Sequence, residues 1–234
     1  MSLLSAVQWN SMAILKEIEP QDIKVTDKLL EELHDIIWGD LYAEHDAENF
    51  CEYLQQSGIT FTPEFKKMEK LWRIDEFNHY QGFRQIYSLL YHKSFEEIER
   101  ELAAYQSDFL SIQEFLQDEF SICVVLAYDE LATTKAYCQD FELYKLLGSK
   151  PIVDWIKYVT KDEAFHYSNA MELIAQRHRH RLPELPMLVE RLIKYDLAVS
   201  KYKFTFVFNH QNRQYFTSDF LHECSDIIYK RFEL

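Results

Sequence analysis

Two segments of the sequence place a glutamate three residues before a histidine. These are Glu76–His79 and Glu163–His166. Residues i and i+3 share one face of an α-helix, so each pair can direct a carboxylate and an imidazole at the same point. Iron and related transition metals bind this mixture of oxygen and nitrogen ligands while keeping positions open for O₂. The spacing therefore predicts one metal-ligating pair in each segment.

A third such pair, Glu31–His34, stands early in the first long predicted helix. One pair of this kind arises readily by chance, so spacing alone does not distinguish the three. The two later pairs lie on different long predicted helices, and a helix that carries further carboxylates precedes each of them. We interpret Glu31–His34 as a surface or chance occurrence.

A site with two metal ions needs one carboxylate from each of two further helices. The apolar stretch 120–128 ends in Asp129 and Glu130, and burying an unpaired carboxylate there is costly unless a metal binds it. Glu130 is the predicted ligand, because Asp129 faces elsewhere on the helix. An earlier helix offers a stripe of acids spaced by four, and periodicity does not choose among them. The stripe consists of Asp40, Glu44 and Glu48.

Helix signals position these residues on four long helices. Gly58, Pro63, a capping box at Ser111 and Glu114, Gly148 and Pro151 delimit them. The predicted ranges are 26–57, 63–92, 111–147 and 151–181. A short helix from the Ser94–Glu97 capping box implies a crossover between the second and third, as in ferritin-like bundles.

The fold prediction is all-α, a ferritin-like four-helix bundle with additional short helices. Only four glycines and five prolines occur, which disfavours a turn-rich β fold. The first 25 residues form an irregular or short helical lead-in, and helices at about 187–205 and 218–231 close the chain. We predict one domain over residues 1–234, with the bundle core at about 26–181.

Composition restricts the partners and the compartment. A net charge of −14 argues against nucleic acid, whose phosphates need a basic surface, and against an anionic membrane surface. The four cysteines show no regular framework, and no apolar run reaches membrane-spanning length. With no signal-peptide pattern at the N-terminus, we expect a cytoplasmic protein.

Four segments resemble the soluble acyl-carrier-protein desaturases. They are similar to the family's ligand-bearing segments, and the similarity extends over roughly residues 26–200. The segments are Gly39–Glu44, Trp72–His79, Asp129–Thr133 and Lys161–His166.

The resemblance implies a complete ligand set and selects Glu44 from the acidic stripe. The six implied ligands are Glu44, Glu76, His79, Glu130, Glu163 and His166. It also implies a proton-delivering role for Thr133 and places Trp72 and Asp162 on the route of electrons to the metals. The cofactor it implies is a pair of iron ions (Fe²⁺/Fe³⁺), and the same ligands also suit an iron–manganese pair.

The function implied by the resemblance is an O₂-dependent di-iron oxidase or desaturase of a fatty acyl chain bound to acyl carrier protein. The family further implies a ferredoxin-like electron donor, a homodimer and an apolar tunnel for the substrate. The basic run 177–181 suits either an acidic carrier or the dipole at the end of a helix. The chain is shorter than plant desaturases after the fourth long helix, a region that shapes the family's acyl channel.

Two other functions fit the same ligands. One is a di-iron oxygenase or aldehyde-deformylating enzyme that acts on a free small substrate. The other is an iron-oxidising storage protein of bacterioferritin type, which assembles into a cage. A long apolar tunnel favours the acyl substrate, whereas a short or polar pocket favours the free small substrate.

Overall fold

The computed structural model describes residues 4–198, 207 and 213–234. These residues form α-helices joined by short 3₁₀ segments and loops, and they include no β-strand. The all-α bundle predicted from the sequence is thus confirmed for this part of the chain. None of its helices combines the length and the apolar character needed to cross a membrane. The single-domain organisation stays a prediction.

Eight α-helices are described, and the four long ones build the bundle. In chain order they are α1 (Ser11–Leu15), α2 (Asp27–Gln56), α3 (Pro63–Tyr91), α4 (Phe95–Leu102), α5 (Glu119–Leu146), α6 (Lys150–Arg177), α7 (Leu185–Ala198) and α8 (Ser218–Lys230). After α2 and α5 the chain turns through Gly58 and Gly148, with φ of 75° and 73°. Only glycine adopts this conformation without steric cost, so these residues end the helices as predicted.

The start of α5 differs from the prediction. Ser111 was expected to open a long helix, but it lies within a 3₁₀ segment, Phe109–Phe115, and α5 begins at Glu119. The Asp108 carboxylate accepts the Ser111 N–H at 3.1 Å and caps the 3₁₀ segment. The N-cap of α5 is instead Asp118, through a reciprocal capping box. The predicted short α4, with its capping box at Ser94, is confirmed.

The end of α6 also differs, since the helix stops at Arg177 rather than near residue 181. The next residues form a 3₁₀ segment, Arg179–Glu184, that contains Pro183. Proline has no N–H to donate and its ring clashes with the preceding turn of an α-helix, so the helix cannot continue through it. Arg181 donates to Asp118 at 2.7 Å and to Glu184 at 2.6 Å. Much of the basic run therefore lies beyond α6, and its last arginine is already paired.

The bundle core consists of two apolar clusters that follow each other along the long helices. One cluster includes Phe50, Trp72 and Phe120, and the other includes Phe83 and Trp155. On α2, α3 and α6 the predicted metal ligands lie between the stretches that supply the two clusters, and on α5 Glu130 lies near the end of the stretch that supplies the first. The ligands are thus held in a polar layer that packed apolar side chains enclose on both sides.

The lead-in before α2 packs against α3 and α6. Ser11 donates its N–H to Asn78 Oδ1 at 2.8 Å, and its hydroxyl donates to the Asn78 carbonyl at 2.6 Å. The same hydroxyl accepts the indole N–H of Trp155 at 2.8 Å. The Trp155 ring occupies the space that a Cβ at position 82 would need, so Gly82 permits this close approach of α6 to α3. These contacts hold the N-terminal segment over the middle of the bundle.

The C-terminal helices α7 and α8 pack against α5. Tyr128 of α5 donates its hydroxyl to Asp196 of α7 at 2.8 Å. Helix α7 begins at Leu185 rather than at residue 187, and its predicted end at 205 lies outside the described residues. The helix predicted at 218–231 is present as α8, Ser218–Lys230.

Candidate dinuclear metal centre

The six side chains predicted as metal ligands converge in the middle of the bundle. Helix α2 supplies Glu44, α3 supplies Glu76 and His79, α5 supplies Glu130, and α6 supplies Glu163 and His166. All six are buried, with at most 7% of their surface exposed. Carboxylates and imidazoles from four helices therefore meet where solvent has little access.

The six side chains form two groups that can each hold one metal ion. One group is Glu44, Glu76, His79 and Glu163, and the other is Glu76, Glu130, Glu163 and His166. Within each group one ligand atom per residue lies within 4.8 Å of all the others. Two carboxylates, Glu76 and Glu163, belong to both groups. Such an arrangement suits two ions bridged by shared carboxylates, with one histidine for each ion.

Distances around the histidines define the two positions. His79 Nδ1 lies 3.4 Å from Glu44 Oε2 and 3.3 Å from Glu163 Oε1. His166 Nδ1 lies 3.1 Å from an oxygen of Glu76 and 3.3 Å from Glu130 Oε2. Each imidazole thus turns its Nδ1 towards carboxylate oxygens of at least two other helices.

Several of these atoms are fully buried, yet they lack any hydrogen bond within the part of the chain that the structure describes. They are Glu44 Oε2, Glu76 Oε1, His79 Nδ1 and Glu163 Oε1. A buried polar atom without a partner is costly, and a bound cation would satisfy all four at once. Two divalent cations would also balance the charge of four ionised glutamates beside two neutral imidazoles. The residues present therefore fit a pair of metal ions.

In the metal-free cluster, four buried glutamates lie beside only two histidines, and this shifts the pKa values of the side chains. Burial, reinforced by the charges of Glu44 and Glu163, raises the pKa of Glu76 well above its ordinary value. Burial also raises the pKa of Glu130 to about 8. Burial would lower the pKa of His79, but the Glu163 and Glu44 carboxylates hold it well above its ordinary value. Without a cation, the cluster therefore retains protons at the positions that metals would take.

The outer nitrogen of each ligand histidine faces an aspartate. His79 Nε2 lies 3.4 Å from Asp162 Oδ2, and His166 Nε2 lies 3.3 Å from Asp75 Oδ2. A carboxylate in this position fixes the imidazole ring so that Nδ1 points to the metal, and raises its basicity. The structure thus brings Asp162, which the resemblance places on the electron route, to a ligand histidine that lies across the bundle on α3.

Three aromatic side chains also contact the ligand shell. The indole N–H of Trp72 donates to Glu130 Oε1 at 2.5 Å. The Tyr137 hydroxyl donates to Glu44 Oε1 at 3.0 Å. Trp9, from the lead-in, donates to Asp162, and its ring stacks at 5.9 Å from the His79 ring. Neither Tyr137 nor Trp9 is among the residues predicted from the sequence. Tyr137 lies seven residues after Glu130 and thus on its helix face, whereas no pattern links Trp9 to the site.

Thr133 lies beside the ligands, as the resemblance implies. It lines a cavity of about 20 Å³, together with Tyr137, Asp129 and the carboxylates of Glu44 and Glu163. This volume is about that needed for one water molecule. A water-sized molecule in the cavity would therefore contact both the ligand carboxylates and Thr133.

The other acids of the α2 stripe point away from the two groups. Asp40 accepts two hydrogen bonds from Arg213, both at 2.8 Å, and is fully buried. Glu48 is partly exposed and forms an ion pair with Arg73. The remaining histidine of a Glu-x-x-His pair, His34, contacts Asp35 and Tyr87 instead. Among the alternatives that periodicity left open, only Glu44 reaches the metal positions.

A cleft between α2 and α3 opens onto the ligand layer. We call it the α2–α3 cleft. Its lining residues are Glu44, His45, Glu48, Asn49, Arg73, Glu76, Phe77, Tyr80, Arg84 and Glu99. Its volume is about 420 Å³, within the usual range for small-molecule sites. Most of these residues carry polar or charged groups, whereas the resemblance implies a long tunnel lined by apolar residues.

The chain matches no protein-family model, no curated protein and no solved structure. The resemblance to the desaturases therefore remains an interpretation of four sequence segments. The geometry of the buried Glu and His side chains stands independently of that resemblance.

Proposed function

We propose that this protein is an O₂-dependent oxidoreductase with a dinuclear iron centre. The observation that carries the proposal is the pair of buried ligand groups that share Glu76 and Glu163. Four glutamates and two histidines from four helices are the ligand set of di-iron and di-manganese carboxylate proteins. When bound there, the two iron ions supply the electrons that reduce O₂ and the oxidising power that acts on a substrate.

The protein residues around the ligands have separate tasks in this proposal. Asp162 and Asp75 orient the two imidazoles through their outer nitrogens. Trp72 and Tyr137 hold Glu130 and Glu44 by donating hydrogen bonds to the oxygens Oε1. The apolar clusters on both sides exclude water, which protects a reactive centre from side reactions.

We infer that the substrate is a free small molecule that enters through the α2–α3 cleft. The cleft contains two of the ligands, Glu44 and Glu76, and most of its other lining residues carry charged or polar groups. A cleft of about 420 Å³ with several charged side chains favours a small substrate over a long acyl chain, which would need a long apolar channel. The fatty acyl chain on a carrier protein remains the substrate implied by the resemblance, and the same assay tests it.

The test combines metal analysis with O₂ consumption. Protein loaded anaerobically with Fe²⁺ should bind about two ions per chain and consume O₂ when small organic substrates are added. Acyl carrier proteins of different chain length form a second arm, and ferredoxin supplies electrons in both. Consumption with the acyl carriers alone would reverse our inference about the substrate.

Variants identify the site responsible. Glu163→Ala should lose metal and O₂ consumption, whereas Glu31→Ala, in the surface pair on α2, should keep both. If Glu76→Ala and Glu163→Ala both leave the metal content unchanged, the proposed centre is wrong. Size-exclusion chromatography separates the storage alternative, because a monomer or dimer is incompatible with a ferritin-type cage.

A further inference from the structure

The wall of the α2–α3 cleft carries more negative than positive groups. Its charged residues are four glutamates and two arginines, namely Glu44, Glu48, Glu76, Glu99, Arg73 and Arg84. A cleft with an excess of one sign of charge between low-dielectric walls concentrates ions of the opposite sign. The charge of the cleft therefore favours a cation.

Two metal ligands, Glu44 and Glu76, form the inner end of the cleft. Both are more than nine-tenths buried, and Glu44 Oε2 and Glu76 Oε1 receive no hydrogen bond from any described residue. Glu44 belongs to one ligand group, and Glu76 belongs to both. A cation that reaches this end of the cleft therefore meets ligands of both metal positions.

Two further glutamates, Glu48 and Glu99, form the outer end of the cleft. Their side chains are 44% and 43% exposed, so a hydrated ion can contact both. Glu48 follows Glu44 by four residues on α2, which places it on the same helix face about 6 Å further along the axis. An exposed carboxylate thus lies one helical turn from a buried ligand, and an ion between them keeps oxygen ligands throughout.

Glu48 is held by an ion pair that is easily exchanged. Arg73 donates from Nε to Glu48 Oε2 at 2.6 Å, and its Nη2 donates to the other oxygen. Exposed ion pairs add little to stability, so Glu48 can turn from Arg73 to a cation at small cost. Arg73 then has another acceptor nearby, because Glu69 lines a neighbouring cavity with it and Glu69 Oε1 receives no hydrogen bond from a described residue.

Glu99 brings a stable negative charge from α4 to the same wall. Tyr80 donates its hydroxyl to Glu99 Oε1 at 2.5 Å, and Arg84 donates to the same oxygen. Partial burial would raise the pKa of Glu99, but these hydrogen bonds hold it below its ordinary value. Glu99 is therefore ionised at neutral pH and attracts cations to the outer end of the cleft.

Other sides of the ligand layer are covered by packed protein. The lead-in covers the α3–α6 side, where Trp9 stacks on the ring of His79 and Ser11 bonds to Asn78. The two apolar clusters enclose the layer along the bundle axis. An ion without ligands does not cross apolar packing, because the loss of its hydration is very costly. The α2–α3 cleft instead offers carboxylates from its exposed outer end to the ligands.

We propose that the α2–α3 cleft is the entry route for divalent metal ions, and that Glu48 and Glu99 receive the ion at its outer end. The proposal rests on the proposed function only in taking the buried centre to bind divalent cations. Glu48 passes the ion to Glu44, and the shared ligand Glu76 passes ions to the second group. Bound metal then compensates the charges of Glu44 and Glu76 and leaves the cleft to the substrate.

Stopped-flow fluorescence of Co²⁺ binding to the metal-free protein tests the route. Trp72 and Trp9 contact the ligand shell, so bound Co²⁺ should quench their fluorescence. Glu48→Gln should slow association by about three- to tenfold and Glu99→Gln by about two- to fivefold, because each removes a charge that attracts a divalent ion over a short distance. Release into excess chelator should slow by the same factor, since the ion leaves by the same path. The equilibrium affinity should therefore stay unchanged.

A charge-neutral double variant separates a carboxylate route from a general effect of charge. The double variant Glu48→Gln, Arg73→Gln keeps the net charge of the parent, and it should load as slowly as Glu48→Gln. Arg73→Gln alone frees Glu48 and should speed loading by up to about fivefold. Glu114→Gln removes an exposed glutamate that also pairs with an arginine, Arg191, and should leave the rate unchanged.

Three results would overturn the entry route. They are parent-like association in both glutamate variants, a parent-like rate in the double variant, and faster release with weaker affinity in Glu48→Gln. The last result would mean that Glu48 supports the bound ligands rather than admitting the ion. A parent protein that binds no Co²⁺ would refute the centre and the route together. Loading through the cleft without O₂ consumption would refute only the proposed oxidase.

Discussion

Two buried charge clusters lie one helical turn apart on α2, and they are built in opposite ways. In the first, Asp40 and Asp140 accept hydrogen bonds from Arg213, whose side chain is 1% exposed. Tyr215 donates a further hydrogen bond to Asp140 at 2.9 Å. In the second, which includes Glu44, four glutamates face two histidines and no lysine or arginine joins them among the described residues.

Both clusters are buried, and they differ in whether their carboxylate oxygens receive hydrogen bonds from protein donors. The arginine supplies donors to both aspartates, so that cluster satisfies itself with protein atoms. The glutamate–histidine cluster leaves Glu44, Glu76 and Glu163 each with an oxygen that receives no hydrogen bond from any described residue. Burial of acids therefore indicates a structural ion pair in one place and a cation site in the other. Unsatisfied oxygens distinguish the two cases.

The largest expected effect comes from Glu76→Gln, which changes a carboxylate shared by both ligand groups. Metal binding should fall from about two ions per chain to fewer than one, because each ion loses an anionic ligand. The metal-free variant should be at least as stable as the metal-free parent, since burial and the neighbouring glutamates disfavour a charge at position 76. Metal analysis and urea denaturation with and without metal measure both effects.

Glu31→Gln serves as the control, because Glu31 is exposed and belongs to the surface Glu-x-x-His pair. A metal-free Glu76→Gln protein that is several kcal/mol less stable than its parent would contradict the contrast between the two buried clusters. The cluster would then be a self-sufficient ion-pair network like the one around Arg213.

Arg213→Met should produce the next largest effect. It should lower the stability of the metal-free protein, whereas Glu76→Gln should not. Asp40 and Asp140 would remain buried without their shared donor, and removing one partner of a buried ion pair costs about 3–5 kcal/mol. We expect a free energy of unfolding lower by that amount in urea denaturation, with or without metal. Arg191→Met, which breaks an exposed pair, should change it by less than about 1 kcal/mol. Equal effects of the two substitutions would contradict the structural role of Arg213.

A third buried carboxyl provides an intermediate case, because Asp196 has neither an arginine nor metal-ligand neighbours within the described ranges 4–198 and 213–234. It accepts one hydrogen bond from Tyr128, no other described residue donates to its Oδ1, and burial raises its pKa to about 7. The folded state therefore holds this proton more tightly than the unfolded state. Its contribution to stability is fully present below about pH 4 and is lost as pH rises to about 7.

Asp196→Asn should remove that dependence, so the variant should exceed the parent in stability above pH 7 by up to a few kcal/mol. Denaturation of both proteins in a pH series measures the difference. Asp226→Asn, at an exposed position of α8, serves as the control. Parallel stability curves for the parent and Asp196→Asn would show that Asp196 is already ionised in the folded protein.

The smallest effect is expected from Tyr137→Phe, which removes the hydrogen bond to Glu44 Oε1. Loss of a group that orients a metal ligand typically weakens metal binding by about 10- to 100-fold. Only one ligand group contains Glu44, so a competitive chelator should remove one ion more easily and leave the other. Tyr128→Phe changes a buried tyrosine that contacts Asp196 instead, and should keep both metal affinities. Equal weakening of both ions would indicate a general loosening of the bundle.

Much of the site follows from local sequence patterns. The two Glu-x-x-His pairs and the acidic end of an apolar stretch identified five of the six converging side chains, because the 3.6-residue period places them on defined helix faces. Glu44 was selected by resemblance, because the helical period places Asp40, Glu44 and Glu48 on one face of the helix and does not distinguish them. The helix ends at Gly58 and Gly148 were predictable because their signals are local.

The sequence by itself determined the helical class, the ligand pairs and the approximate course of the four long helices. Tertiary structure alone decided which acids pair with arginine and which remain unsatisfied, because Arg213 approaches Asp40 from a distant part of the chain. It also decided that Trp9 stacks beside His79 and that the α2–α3 cleft leads to the ligands. Contacts between residues far apart in sequence leave no periodic signal. They depend on how whole helices pack, and packing is fixed by the entire core rather than by any one segment.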